Sequence, residues 1–374
     1  MYNNISFFPN LNALRFFAAL LVVFHHGETI RSKNGFTDYL DVSFFMNGGS
    51  AVKFFFVLSG FLITYILLKE KQQHQHINIG SFYLKRIFRI WPLYFLLVAI
   101  GIILFPILFQ ALHINYTFPY TFAQSWYLFL LFIPSIVTLN YGSHLLEPLW
   151  SIGVEEWFYL LWAPLFRWIQ KPLIFIFAVL LVKTGLLVSV HYHFIDAPFA
   201  THLIKTYAFE SMAFGGLGAY FLFYTKKNIT SIYHKYRILN IFLIALTLAY
   251  ILFNTSTANL LIVNFFQSLI FNGLISNILF LNLIIYCAMI LPKTSWLNHK
   301  WLDLGGRISY GIYMYHMLVI FTIMHFLKSH LLPLSPSLSF IIFYGFVIGG
   351  TILIAYLSKK YFEDYFMLLR NRLK

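Results

Sequence analysis

The sequence predicts an all-α protein, a polytopic transmembrane bundle of about ten helices with one extra re-entrant or interfacial segment. Three observations predict it. Of 374 residues, 60% are hydrophobic, 21% aromatic and only 10% charged, a balance too apolar for a soluble domain of that length. The apolar residues fall into runs of about 20, the length a helix needs to cross a bilayer. The net charge of +14 gathers in alternate loops, which points to membrane topology and not to nucleic acid.

The runs lie near 10–29, 50–69, 88–109, 149–169, 172–192, 203–224, 238–254, 266–291, 307–327 and 338–358. An even number of crossings puts both termini on one side. If that side is the cytoplasm, nineteen of the 26 Lys and Arg residues are inside, while Arg31, Lys33, Lys53 and Lys328 are outside. That asymmetry puts both termini in the cytoplasm, and the expected localisation is multi-pass in the plasma (inner) membrane. The stretch "SWYLFLLFIPSIVTLN" (125–140) is shorter and interrupted by Pro134, so it reads as re-entrant or interfacial. The single cysteine, Cys287, lies inside an apolar run, so no intramolecular disulfide can form and no metal is expected. The first run carries Arg15 and lacks a small-residue cleavage site, so it reads as a retained helix. The whole of 1–374 reads as one membrane domain with no soluble C-terminal domain.

Polar residues inside these runs are costly in lipid and mark candidate sites. The first, "NALRFFAALLVVFHHGE" (12–28), holds Arg15, His25 and His26. Eleven residues from Arg15 to His26 turn a helix about 20° past three full turns and advance about 16 Å, so the two share a face. His25 falls about 80° to the other side of Arg15. "FFFVLSGFLI" (54–63) offers Ser59 and Gly60, better suited to close helix packing than to nucleophilic chemistry. "YLKRIFRIWPLYF" (83–95) sets Arg86 and Arg89 at i, i+3 beside Lys85, two guanidiniums able to clamp a phosphate or simply to anchor the helix end. "PLWSIGVEEWFYLLW" (148–162) sets Glu155 and Glu156 about one and a half turns into a run, diverging by about 100°, so only one is expected to share a cavity with the histidine. "RISYGIYMYHM" (307–317) aligns Ser309, Tyr313 and His316 on one face, as a site or as interhelical hydrogen-bond glue.

These five segments, in this order and spacing, resemble the acyltransferase-3 family of integral membrane acyltransferases, from residue 7 to about 360. The resemblance implies transfer of an acyl group, usually acetyl from cytoplasmic acetyl-CoA, to a hydroxyl of a cell-envelope glycan across the bilayer. It matches Arg15 and His26 to the essential pair of the first helix, Arg86 and Arg89 to the motif linked to CoA, and Glu155 to the glutamate of a tryptophan-serine motif. Ile152 and Trp157 depart from the usual neighbours of that glutamate. On this reading His26 is the general base, Glu155 holds its tautomer, and Arg15 holds part of the donor. Two alternatives stay open: a glycan or lipid-carrier flippase, and the same chemistry with a succinyl donor or a small-molecule or lipid acceptor. The sequence sets no oligomeric state.

Overall fold

The structure, a computed structural model, describes residues 5, 7–114, 116–142, 145–225, 228–253, 271–292 and 294–372. Lys226, Lys227, Lys293 and Lys374, counted above for topology, lie outside the described residues, as do 254 and the start of the run expected from 266. Every regular element among the described residues is helical. In chain order the first eight are α1 Leu11–Lys33, α2 Ser43–Met46, α3 Gly48–His74, α4 Ile79–Ala99, α5 Phe105–Ala111, α6 Phe122–Leu130, α7 Pro134–Tyr141 and α8 Leu149–Trp168. There follow α9 Pro172–His191, α10 Pro198–Thr206, α11 Phe209–Tyr224, α12 Ile229–Lys235, α13 Arg237–Phe253 and α14 Ser276–Ile285. The last are α15 Lys300–Arg307, α16 Ser309–Leu331, α17 Pro336–Ser358 and α18 Asp364–Arg372.

Among the described residues, seven helical stretches are long and apolar enough to cross a membrane, or eight if the pair α12 and α13, bent by 87°, is one span. The sequence suggested about ten. Two of the expected runs account for the difference between ten and eight. Helix α8 has 20 residues but carries Glu155, Glu156 and Arg167, and the run expected over 203–224 is two pieces, α10 and the 16-residue α11, parted at Tyr207 and Ala208.

The contacts divide the chain into two compact units, Met1–Ile77 with Leu165–Ser309 and Asn78–Pro164 with Tyr310–Lys374. In the first, α3 and α11 cross at very short range. A Cβ on Gly60 would come within 1.9 Å of the Met212 carbonyl oxygen, and one on Gly215 equally close to that of Val57. In lipid, helices associate through packing and interhelical hydrogen bonds, and small residues permit it. The α10–α11 break lies beside α9: buried Lys183 donates to the Ile204 carbonyl at the end of α10 (2.6 Å) and pairs with Glu210 in the first turn of α11 (3.6 Å). A cation at a helix C-terminus and a carboxylate at an N-terminus both suit the helix dipoles, so one side chain stitches both half-helix ends.

In the second unit, α4 runs past Pro92 into a π-helical turn, Ile100–Leu104, and on through α5. The 125–140 segment is α6 and α7, of nine and eight residues, and neither is long enough to span. Phe132 joins them at a φ of 55°, its ring stacked 4.5 Å from Tyr94, while the Tyr94 hydroxyl donates to the Phe129 carbonyl (3.0 Å). Gly153 of α8 leaves room for the Phe132 carbonyl, which a Cβ would meet at 2.4 Å. Irregular backbone at membrane depth needs this burial in protein. Helix α17 continues through a π-helical turn, Lys359–Glu363, into α18, well beyond the 338–358 expected.

Candidate active-site residues

Helix α1 is unbroken from Leu11 to Lys33, so Arg15 and His26, both half-buried, keep the shared face that their spacing predicts. His25 and His26 stand edge to face with ring centroids 5.1 Å apart. His25 turns to α3: a Cβ on Gly48 would come within 2.7 Å of its ring. Beyond the histidines α1 continues for two more turns, and here the topology count needs correction. Arg31 is no loop cation. It is fully buried, paired at 3.1 Å with equally buried Glu28, stacked over Phe36 at 5.2 Å, and donates to the Thr37 carbonyl at 2.8 Å. The Tyr39 N–H donates to Glu28 at 2.8 Å. Lys53, counted as outside, sits in the second turn of α3 and donates to Asn272 and Ser276.

The second group belongs to the other unit and is described within it. Because α4 begins at Ile79 and not near 88, Lys85 and Arg86 lie in its second turn and Arg89 in its third. Arg86 stands over the rings of Phe82 (5.7 Å) and Tyr159 (5.6 Å), and its buried Nε has no hydrogen-bond partner. Arg89, one turn on, is exposed. The Tyr159 hydroxyl donates to Glu155 at 2.7 Å, so the same ring touches the cation on its face and the carboxylate at its tip. Glu156 diverges as the 100° step requires and takes the Trp91 indole N–H at 2.9 Å.

The expected stripe on α16 divides. Ser309 belongs to the first unit, and its hydroxyl donates to the Gly306 carbonyl at 2.8 Å, a bond local to the helix start. Buried Tyr313 donates to the Pro148 carbonyl (3.0 Å) and shares a 2.7 Å hydrogen bond with Ser151, while buried His316 bonds the Tyr313 carbonyl through Nδ1 at 2.6 Å. Tyr313 thus ties α16 to the start of α8. Tyr159 was readable as the residue four after Glu155, on one helix face. Trp91 was not, because 65 residues separate it from Glu156.

Against known proteins, the family described as an acyltransferase domain matches residues 8–358. The chain is similar to the peptidoglycan O-acetyltransferase OatA of Listeria monocytogenes, 24% identical over 333 residues that cover 84% of this chain and 50% of the relative. To the O-acetyltransferase OatA of Staphylococcus aureus it is 27% identical over 195 residues, 50% of this chain and 30% of the relative. To the putative peptidoglycan O-acetyltransferase YrhL of Bacillus subtilis it is 30% identical over 169 residues, 43% of this chain and 24% of the relative. The chain spans half or less of the length of these curated relatives. No solved structure matches.

Proposed function

The chain belongs to the acyltransferase-3 family of integral membrane acyltransferases, and from that premise we propose that it transfers acetyl from acetyl-CoA to a hydroxyl of a cell-envelope glycan. The names of the Listeria and Bacillus relatives make peptidoglycan the first acceptor to test. The observation that carries the proposal is α1 itself, one continuous helix that holds an arginine and an imidazole on a common face about 16 Å apart. Such a charge is expensive in lipid and is kept where it works.

The acceptor hydroxyl is a weak nucleophile. As its oxygen attacks the thioester carbonyl carbon, neutral His26 takes its proton; collapse of the tetrahedral intermediate expels CoA thiolate, which takes that proton back. Arg86 and Arg89 are assigned to the phosphates of CoA, Arg15 to a deeper part of the donor, and Glu155 is the carboxylate assigned to the reaction. With the basic loops and both termini in the cytoplasm, His26 lies toward the far face and the donor enters from within.

In sealed vesicles of known orientation, acetyl-CoA on the cytoplasmic face and peptidoglycan fragments on the other should give O-acetylated glycan. His26→Ala should lower turnover by about 10² to 10⁴, the usual worth of a general base, and His25→Ala by much less. Wild-type turnover in the His26 variant would overturn the assignment of the base. A wild-type protein that consumes no acetyl-CoA would overturn acyl transfer.

A further inference from the structure

Two helices of the second unit each present a pair of residues four positions apart, Phe82 with Arg86 on α4 and Glu155 with Tyr159 on α8, so each pair shares a helix face. The two faces meet. The Phe82 and Tyr159 rings, both buried, stand edge to face with centroids 6.3 Å apart and planes at 82°. Beside them the Tyr83 hydroxyl donates to the Leu160 carbonyl at 2.8 Å, which fastens α4 to α8 at this level.

The Arg86 guanidinium lies 5.7 Å from the centre of the Phe82 ring and 5.6 Å from that of Tyr159. Two rings at nearly a right angle hold it in a corner, through attraction between the cation and the negative ring faces. A second phenylalanine would complete that corner. The phenol goes further: its hydroxyl donates to Glu155 Oε2 at 2.7 Å, a well-formed O–H···O hydrogen bond. Glu156, the neighbouring carboxylate, is held instead by the Trp91 indole N–H at 2.9 Å. A hydroxyl is costly to bury among apolar helices unless it is paired, so its presence here is explained by the carboxylate at its tip.

We propose that Tyr159 is the positioning residue that sets Arg86, the cation assigned to the donor phosphates, in fixed register with Glu155, the carboxylate assigned to the reaction. The inference rests on acyl transfer with those two assignments. The ring orients the guanidinium before the donor arrives. The hydroxyl occupies one carboxylate oxygen, so the carboxylate presents its other oxygen the same way in every turnover. Groups set beforehand need no reorganisation as charge develops, and a misplacement of about 1 Å can cost about 10²-fold in rate. Donor binding and chemistry are thus separable on one side chain: the ring acts on KM, and the hydroxyl on kcat.

Tyr159→Phe removes the hydroxyl and keeps the ring. It should lower kcat about 10- to 100-fold, the usual worth of a hydrogen bond to a charged group, and leave KM for acetyl-CoA at the wild-type value. Tyr159→Leu removes both, and should add a rise in KM of about 3- to 10-fold, the range of a cation–π contact. In the Glu155→Gln background the hydroxyl serves a neutral amide, and Tyr159→Phe should cost several-fold less in kcat than it does in the wild type. A residue that only packs would lower the yield of folded protein without separating kcat from KM, and its removal would cost the same in both backgrounds. Wild-type kcat in Tyr159→Phe, a raised KM in that variant, or equal cost in the two backgrounds overturns the proposal. Should the leucine variant fail to insert, the phenylalanine variant and its cycle with Glu155→Gln decide alone. If Arg86→Ala and Glu155→Gln each impair the enzyme and Tyr159→Phe does not, only the positioning role fails. If neither of those two changes has an effect, or the wild type consumes no acetyl-CoA, the underlying assignments fail.

Discussion

Arg31 on α1 has no exposed surface and pairs with Glu28 at 3.1 Å, whereas Arg86 on α4 lies over two aromatic rings. Both are guanidiniums on long apolar helices, and the sequence reading counted Arg86 inside and Arg31 outside. The difference lies in what neutralises them. Arg31 is matched within its own helix and by the loop that follows it, through the Phe36 ring and the Thr37 carbonyl, so its chemistry is spent on holding the end of α1 together. Arg86 is steadied by ring faces, which hold a guanidinium without using up its N–H donors. On the proposed function, a cation held in this way keeps its hydrogen bonds for the phosphates of the donor.

The sharpest way to break this contrast is to remove the partner of Arg31. Glu28→Gln leaves a buried cation uncompensated, so folded stability in detergent should fall by about 3 to 5 kcal/mol, read as a lower midpoint of thermal unfolding. An unchanged midpoint would mean that the pair is not structural. Arg86→Ala should leave that midpoint nearly unchanged and raise KM for acetyl-CoA about tenfold, the worth of one charge-assisted contact at about 1.4 kcal/mol. The effect should shrink as salt rises, and Arg86→Lys should recover only part of it, because an ammonium lacks the planar fork. An unmoved KM would return Arg86 to the anchoring cations. The smallest effect belongs to Ser309→Ala. It removes one bond at the start of α16, costing about 1 kcal/mol, and turnover should stay at the wild-type level; a loss of turnover would restore Ser309 to a functional stripe with Tyr313 and His316.

The helical fold was legible in composition and spacing, and so were the face shared by Arg15 and His26 and the broken segment around Pro134. These depend on residues close in sequence. What escaped depends on partners that are far away or on features without a local signal. The run over 203–224 looks continuous because Tyr207 and Ala208 are neither glycine nor proline, and what fixes the break is a lysine on another helix. Arg31 reads as a loop cation until Glu28, three residues back, is seen buried with it. The divergence of Glu155 and Glu156 followed from helix geometry, but Trp91 could be named only from the fold. Gly48 drew no attention in sequence because its value comes from a histidine of a different helix.

The lysine that stitches α10 to α11 also bears on how the chain is made. Lys183 precedes Glu210 by 27 residues (210 − 183), and at about 5 to 20 residues per second the ribosome needs about 1 to 5 s to make them. For that interval α9 carries a cation whose carboxylate does not yet exist, at an insertion cost of about 2.5 to 3.5 kcal/mol at mid-membrane. Its neighbours in α9 are apolar enough to carry the helix in regardless. The 16-residue α11 is in the opposite position: it is short for the bilayer and begins with an acid. It packs against α9, which the nascent chain has already made by the time α11 is synthesised.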